Sequence, residues 1–193
     1  MVKLRIGSVM LRIDLSPYWV RRCRREGYRR VQSGKFSNQY THRAIDKDPI
    51  AQARSVFGEV GFAQWHGLDP NIAVDWEDRA RDWDIDLGGW LIDIKSIKDV
   101  YRLLCWSVAK NSIWDRKNFH ILFLMKVCDD GVCLIGRQSW IGKQQFFENK
   151  LVADGGNPRG LDPGTWYIDQ KDLWFTDHFE EFIACRASSH TTG

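Results

Sequence analysis

The sequence predicts an α/β protein with a mixed central sheet flanked by helices. Three stretches of the 193-residue chain carry that reading. Residues 82–95 alternate apolar and polar on both sides of Gly88-Gly89, the pattern of a tight β-hairpin with a two-residue primed turn. His120–Val127 is a near-continuous apolar run, as expected of a central strand buried on both faces. Ala53, Val56, Phe57, Val60 and Ala63 recur at helical spacing and mark a packed helix.

The remaining elements follow in chain order. Residues 2–15 read as an extended segment. Ser16-Pro17 is a helix start, with Ser16 as N-cap and Pro17 in the first helical position, and residues 17–31 form a basic helix. Polar residues 32–48 read as loop. Asp48-Pro49 opens the second helix, about 49–66, and Gly67-Leu68-Asp69-Pro70 stops it. A charged connection, 71–81, leads into the hairpin. Ile97–Val108 is amphipathic and reads as helix or as a mixture of loop and helix. Asp129-Asp130-Gly131 turns the central strand into a second one, Val132–Gly136. Residues 141–151 form a helix, a Gly/Pro-rich loop spans 155–164, and Trp166-Tyr167-Ile168 is a short strand. Leu173-Trp174 and Phe179–Ile183 make the last packed piece. The tail 188–193 is expected to be disordered.

Length and an apolar fraction of 44% fit one domain with a real core. No apolar run reaches the length of a transmembrane helix, and Met1–Arg5 does not open a signal peptide, so a cytoplasmic protein without a membrane partner is expected. Five scattered cysteines without a C-x-x-C favour reduced thiols, and the five histidines show no ligand spacing. The ten tryptophans read mainly as packing. Charge is uneven. Residues 1–35 hold ten Lys/Arg against two acids, a net +8, while the rest of the chain carries −5. That asymmetry points to a polyanionic partner, gripped by the basic helix through residues such as Arg21, Arg22 and Arg25.

The hairpin register sharpens the picture. If Gly88-Gly89 is the turn, Leu87 faces Trp90, Asp86 faces Leu91, Ile85 faces Ile92, Asp84 faces Asp93, Trp83 faces Ile94 and Asp82 faces Lys95. Asp84, Asp93 and Lys95 then share one face. Facing residues have Cβ atoms roughly 4.5–5.5 Å apart, and like charges there repel, so the pair calls for a cation between them. A bulge would replace Asp84 by Asp86.

These residues resemble the PD-(D/E)xK nuclease superfamily, which has the restriction-endonuclease-like fold. Asp84 is similar to the first acid of its motif, and Asp93-Ile94-Lys95 to its acid-x-Lys. Glu59, in Phe57-Gly58-Glu59-Val60, resembles the family's first-helix glutamate. The segment from Gly136-Arg137-Gln138-Ser139-Trp140-Ile141 through Phe146 to Leu173 is similar to small phage and bacterial members. No proline precedes Asp84. The resemblance covers about residues 50–180. Residues 1–48 match no part of it and are expected to be a basic N-terminal segment whose helix packs on the core, with a nuclease domain at 49–187 and the tail at 188–193.

The resemblance further implies a Mg²⁺-dependent DNA endonuclease, with Mn²⁺ as substitute, that leaves 5′-phosphates. Asp84, Asp93 and the Ile94 carbonyl would hold the ion, and hard oxygen donors suit it. Glu59 would hold a second ion or an ordered water. Lys95 would orient or deprotonate the attacking water and neutralise the phosphate. Ser96, Lys98, Gln138, Lys143 and Gln144 are candidate nucleic-acid contacts. Alternatives are a nuclease for junctions or RNA, which as a junction resolvase would be a homodimer, and a non-catalytic DNA-binding protein on the same fold.

Overall fold

The computed structural model describes residues 9–32, 48–74, 83–98, 104–106, 118–153 and 166–189. Its core is a sheet built around β5 (Ile121–Val127). One edge of β5 pairs in parallel with β3 (Trp90–Ile97), which pairs antiparallel with β2 (Ile85–Leu87). The other edge is shared. β7 (Gln138–Gly142) pairs with its first half and β6 (Val132–Gly136) with its last residues, both antiparallel. β1 (Val9–Asp14) lies outside β6, and β10 (Trp174–Phe175) outside β7. The sheet is therefore mixed, with one parallel pair among the described strands.

Period-two alternation in β5 explains why it reads as one apolar run. Ile121, Phe123 and Met125 point into one cluster and Leu122 and Leu124 into another. The first cluster is covered by α2 (Pro49–Trp65) and by Phe179 of α4 (Asp177–Ser189). The second is covered by Phe146 of α3 (Lys143–Asn149) and by Ile168 of β9 (Trp166–Ile168). β9 joins β8 (Leu151–Val152) and β4 (Leu104–Trp106) in a small separate sheet. Within the 97–108 stretch, expected to be helix or a mixture of loop and helix, Leu104–Trp106 is strand, and residues 99–103 and 107–108 lie outside the described residues. Strand pairing of Leu104, Cys105 and Trp106 with Ile168, Tyr167 and Trp166 decided it.

α2 is the structural axis. Asp48 caps it by accepting from the Ile50 N–H at 2.8 Å, and Pro49 sits in the first turn. Val56, Phe57, Val60, Phe62 and Ala63 are all buried. α1 (Pro17–Gln32) lies against it, and Cys23, Glu26, Gly27 and Arg30 form its inward face. The small residue at Gly27 is required there. A Cβ would stand 2.5 Å from the Pro49 carbonyl oxygen and 2.6 Å from the Ala53 nitrogen. So α1 packs directly against α2.

Other expectations fare unevenly. Residues 141–142 finish β7 rather than start a helix, and α4 extends through Ser189, into the stretch expected to be disordered. Pro70–Ala73 is a short 3₁₀ turn inside the charged connection. Residues 33–47, 75–82, 154–165 and 190–193, where loops, the charged connection and the tail are expected, lie outside the described residues. Cys23, Cys128, Cys133 and Cys185 are free thiols, in line with the reduced reading. No helix among the described residues is long and apolar enough to cross a membrane.

Candidate active site

The hairpin turn is as read. Gly88 and Gly89 have φ of +61° and +87°, the two positive values that a type I′ turn needs. Ile85–Ile92, Asp86–Leu91 and Leu87–Trp90 are in the expected register. Asp86 caps the turn, accepting from the Gly89 N–H at 2.8 Å, and is exposed. That fixes its role and leaves Asp84 as the acid nearest the site.

The ladder stops one residue short of the expected Asp84–Asp93 pair. The Asp84 N–H donates to the Ile92 carbonyl at 2.9 Å, although Ile85 is the residue registered opposite Ile92. Beyond Ile92, that edge of β3 has no strand partner among the described residues. The Asp84 side chain fills the gap, and its Oδ2 accepts from the Ile94 N–H at 2.6 Å. Asp84 thus reaches the site as a cap on the open edge of β3 and not as a cross-strand partner.

Ile92 and Ile94 point under α2, so Asp93 and Lys95 point to the other face, beside Leu122 and Leu124. Asp93 is 4% exposed. Lys95 Nζ donates to its Oδ1 at 2.8 Å. It also lies 2.7 Å from Oδ2, so both oxygens of this buried carboxylate face the ammonium.

Glu59 comes from α2, on the isoleucine face. Its two oxygens accept from Arg30 Nη1 at 3.1 Å and Nη2 at 3.0 Å, and Oε1 also accepts from Ser55 Oγ at 3.1 Å. Arg30 is 3% exposed and Glu59 2%. Glu26 stands beside them, 3.5 Å from Arg30 and 2.8 Å from Arg29. Arg30 is therefore not one of the solvent-facing arginines of the basic helix. A sequence signal existed. Cys23 and Gly27 mark the small-residue stripe of α1, and Glu26 and Arg30 flank it at i, i+4.

Charge accumulates where these groups meet. Desolvation, then Glu59, then Asp93 push the carboxyl of half-buried Asp84 up to about 7. Burial works against the charge on Lys95, but the attraction of Asp93 and Asp84 outweighs it, and its pKa stands above the ordinary lysine value. In the metal-free protein Lys95 is thus held as a cation by its two acids. Among the described residues, no three His, Cys, Asp or Glu side chains are already turned toward a common point as a metal cage. The reason is visible in the partners: Asp84 is turned to a backbone amide, Asp93 to Lys95 and Glu59 to Arg30.

The outlying contacts sort differently from expectation. Ser96 faces α2, where its Oγ would meet a Cβ on Gly58 at 2.1 Å, so it is a packing residue and not a surface contact. The Gln138 amide donates to the carbonyls of Lys171 and Leu173 at 2.7 and 3.0 Å and holds that loop instead of facing outward. Exposed Lys98 pairs with Asp129 at 3.3 Å. Lys143 lies over the Phe119 ring, and Gln144 bonds Glu148. Both line an open groove of about 690 Å³ with Trp90, Phe147, Trp174 and Phe182. On α1, Arg21 and Arg25 are exposed with Tyr18 and Tyr28, while half-buried Arg22 bonds the Tyr18 hydroxyl at 2.8 Å. His66 packs among Phe62, Trp65 and Phe179, a structural histidine.

Asp84, Asp93 and Lys95 thus meet at the open edge of β3, and the Arg30–Glu59 pair on the α2 face is near enough to act on Asp84 and Lys95 electrostatically. Comparison of the chain with family models, with curated proteins and with solved structures returns no match.

Proposed function

We propose that this protein is a divalent-metal-dependent nuclease that hydrolyses phosphodiester bonds in DNA and leaves 5′-phosphates, on a restriction-endonuclease-like arrangement of its mixed sheet. One observation carries the reading. Asp84 and Asp93 lie close enough to act on each other's charge beside Lys95, whose ammonium is 2.7 and 2.8 Å from the two Asp93 oxygens. Like-charged carboxylates gathered in this way are stabilised by a cation, and hard oxygens favour Mg²⁺ or Mn²⁺.

Asp84 and Asp93 would hold the ion. The Ile94 carbonyl suits the same role. Its N–H donates to Asp84, and the N–H and C=O of one strand residue point to the same edge. Bound there, the ion would polarise the phosphoryl oxygen and stabilise charge on the leaving oxygen. Lys95, kept protonated by its two acids, would draw in the phosphate and orient the attacking water. The exposed Arg21 and Arg25 of α1 would grip the DNA backbone through phosphate contacts.

The test is a substrate panel of supercoiled, linear, single-stranded and branched DNA, and RNA, each with Mg²⁺, Mn²⁺ or EDTA. Metal-dependent DNA cleavage by the wild type, lost in Asp93→Asn and in Lys95→Ala, is the expected result. Losses of roughly 10²–10⁴-fold are typical for such groups. Near wild-type cleavage by either folded variant, or none by the wild type, refutes the proposal. Cleavage confined to branched DNA or to RNA would redirect the substrate class.

A further inference from the structure

We infer that the buried guanidinium of Arg30 takes the place of a second metal ion, so that the site binds one divalent cation, held by Asp84 and Asp93, and Glu59 is not a ligand. The inference rests on the metal-centre reading above. It reassigns the helix glutamate from metal holder to partner of an internal cation.

The support is geometric. Both Glu59 oxygens are taken by the two terminal nitrogens of Arg30, in the two-pronged arrangement that suits a carboxylate, with Ser55 adding a third bond. The pair is 3% and 2% exposed. A metal ion reaching Glu59 would have to displace a buried guanidinium that holds both of its oxygens, which is unfavourable. Nor can Arg30 swing aside easily. It lies three residues after Gly27, where the α1 backbone is in closest contact with α2.

Titration calorimetry of Mn²⁺ into the metal-free full-length protein tests this without any turnover. The wild type is expected to bind one Mn²⁺ per chain. Asp93→Asn should abolish binding, whereas Glu59→Gln should still bind one, weakened by no more than about tenfold, as for residues behind the ligands. Glu59→Gln leaves a charged Arg30 buried and could fail to fold. Arg30→Met combined with Glu59→Leu removes both charges and should likewise bind one ion, with folding checked by thermal melting. Two ions per wild-type chain, or loss of binding in a folded Glu59 variant as complete as in Asp93→Asn, overturns the inference and leaves the metal-centre reading standing. Absence of Mn²⁺ binding by the wild type overturns both.

Discussion

Replacing Gly27 by Ala asks whether the N-terminal helix is an ornament or part of the site. The new methyl would stand 2.5 Å from the Pro49 carbonyl oxygen, 2.6 Å from Ala53 N and 2.9 Å from Ala53 Cα. All three are backbone atoms, so no rotamer change relieves them, and α1 must retreat by about 1 Å to reach ordinary contact. The same motion would carry the Arg30–Glu59 bonds, at 3.0–3.1 Å, beyond hydrogen-bonding distance unless the side chains follow. Overpacking costs roughly 1–3 kcal/mol, and weakening a buried ion pair adds part of its 3–5 kcal/mol. The better helix propensity of Ala returns about 1 kcal/mol. A net loss of about 2–3 kcal/mol follows, or roughly 5–10 °C in the melting midpoint for a chain of this size. The assay is thermal and urea unfolding of the metal-free protein. Adding Ala53→Gly should not rescue the loss, because the contacts are with backbone and not with the Ala53 methyl. A Gly27→Ala midpoint equal to or above wild type would refute the close α1–α2 approach and, with it, the rigid placement of Arg30.

Further expectations test the site and its surroundings. Asp84→Asn should cripple metal-dependent cleavage as severely as Asp93→Asn, whereas Asp86→Asn should only soften the turn. An inactive Asp86→Asn beside an active Asp84→Asn, in the same cleavage assay, would reverse the assignment. Changing Arg21 and Arg25 together to Ala should weaken binding to DNA of any sequence in Ca²⁺ and flatten the salt dependence by up to roughly one unit of log–log slope per lost phosphate contact. Superimposable slopes would show that this face of α1 does not touch DNA. His66 gives a pH signature of stability. Burial lowers its folded pKa to about 4, against about 6.5 in the unfolded chain. Below pH 6.5 the unfolded state therefore binds the extra proton, and stability falls from there down to about pH 4. With the side chain only 5% exposed, the loss is of the order of 3 kcal/mol at most. Urea midpoints at pH 7 and pH 5 should separate less in His66→Gln than in wild type, and an unchanged separation would assign the acid sensitivity elsewhere.

Local information in the chain determined the hairpin, the turn at Gly88-Gly89, the α2 stripe and the central strand, because periodicity and turn stereochemistry act within a few residues. The same local pattern put Asp93 and Lys95 on one side of β3, since alternate strand residues must point to opposite faces. It could not show that the ladder ends at Ile85. Where pairing stops depends on what the freed Ile94 amide finds, and here it finds the Asp84 carboxylate. Nor could sequence tell Arg30 from its neighbours on a helix crowded with arginines. Tertiary packing made that distinction by pressing one face of α1 against α2, so that a charge which would be free on an isolated helix had to meet Glu59. The roles expected of Ser96 and Gln138 changed for the same reason. A polar side chain is available to a partner only if the fold leaves it uncovered, and the covering atoms come from segments distant in the chain: Gly58 for Ser96, and the Lys171–Leu173 loop for Gln138.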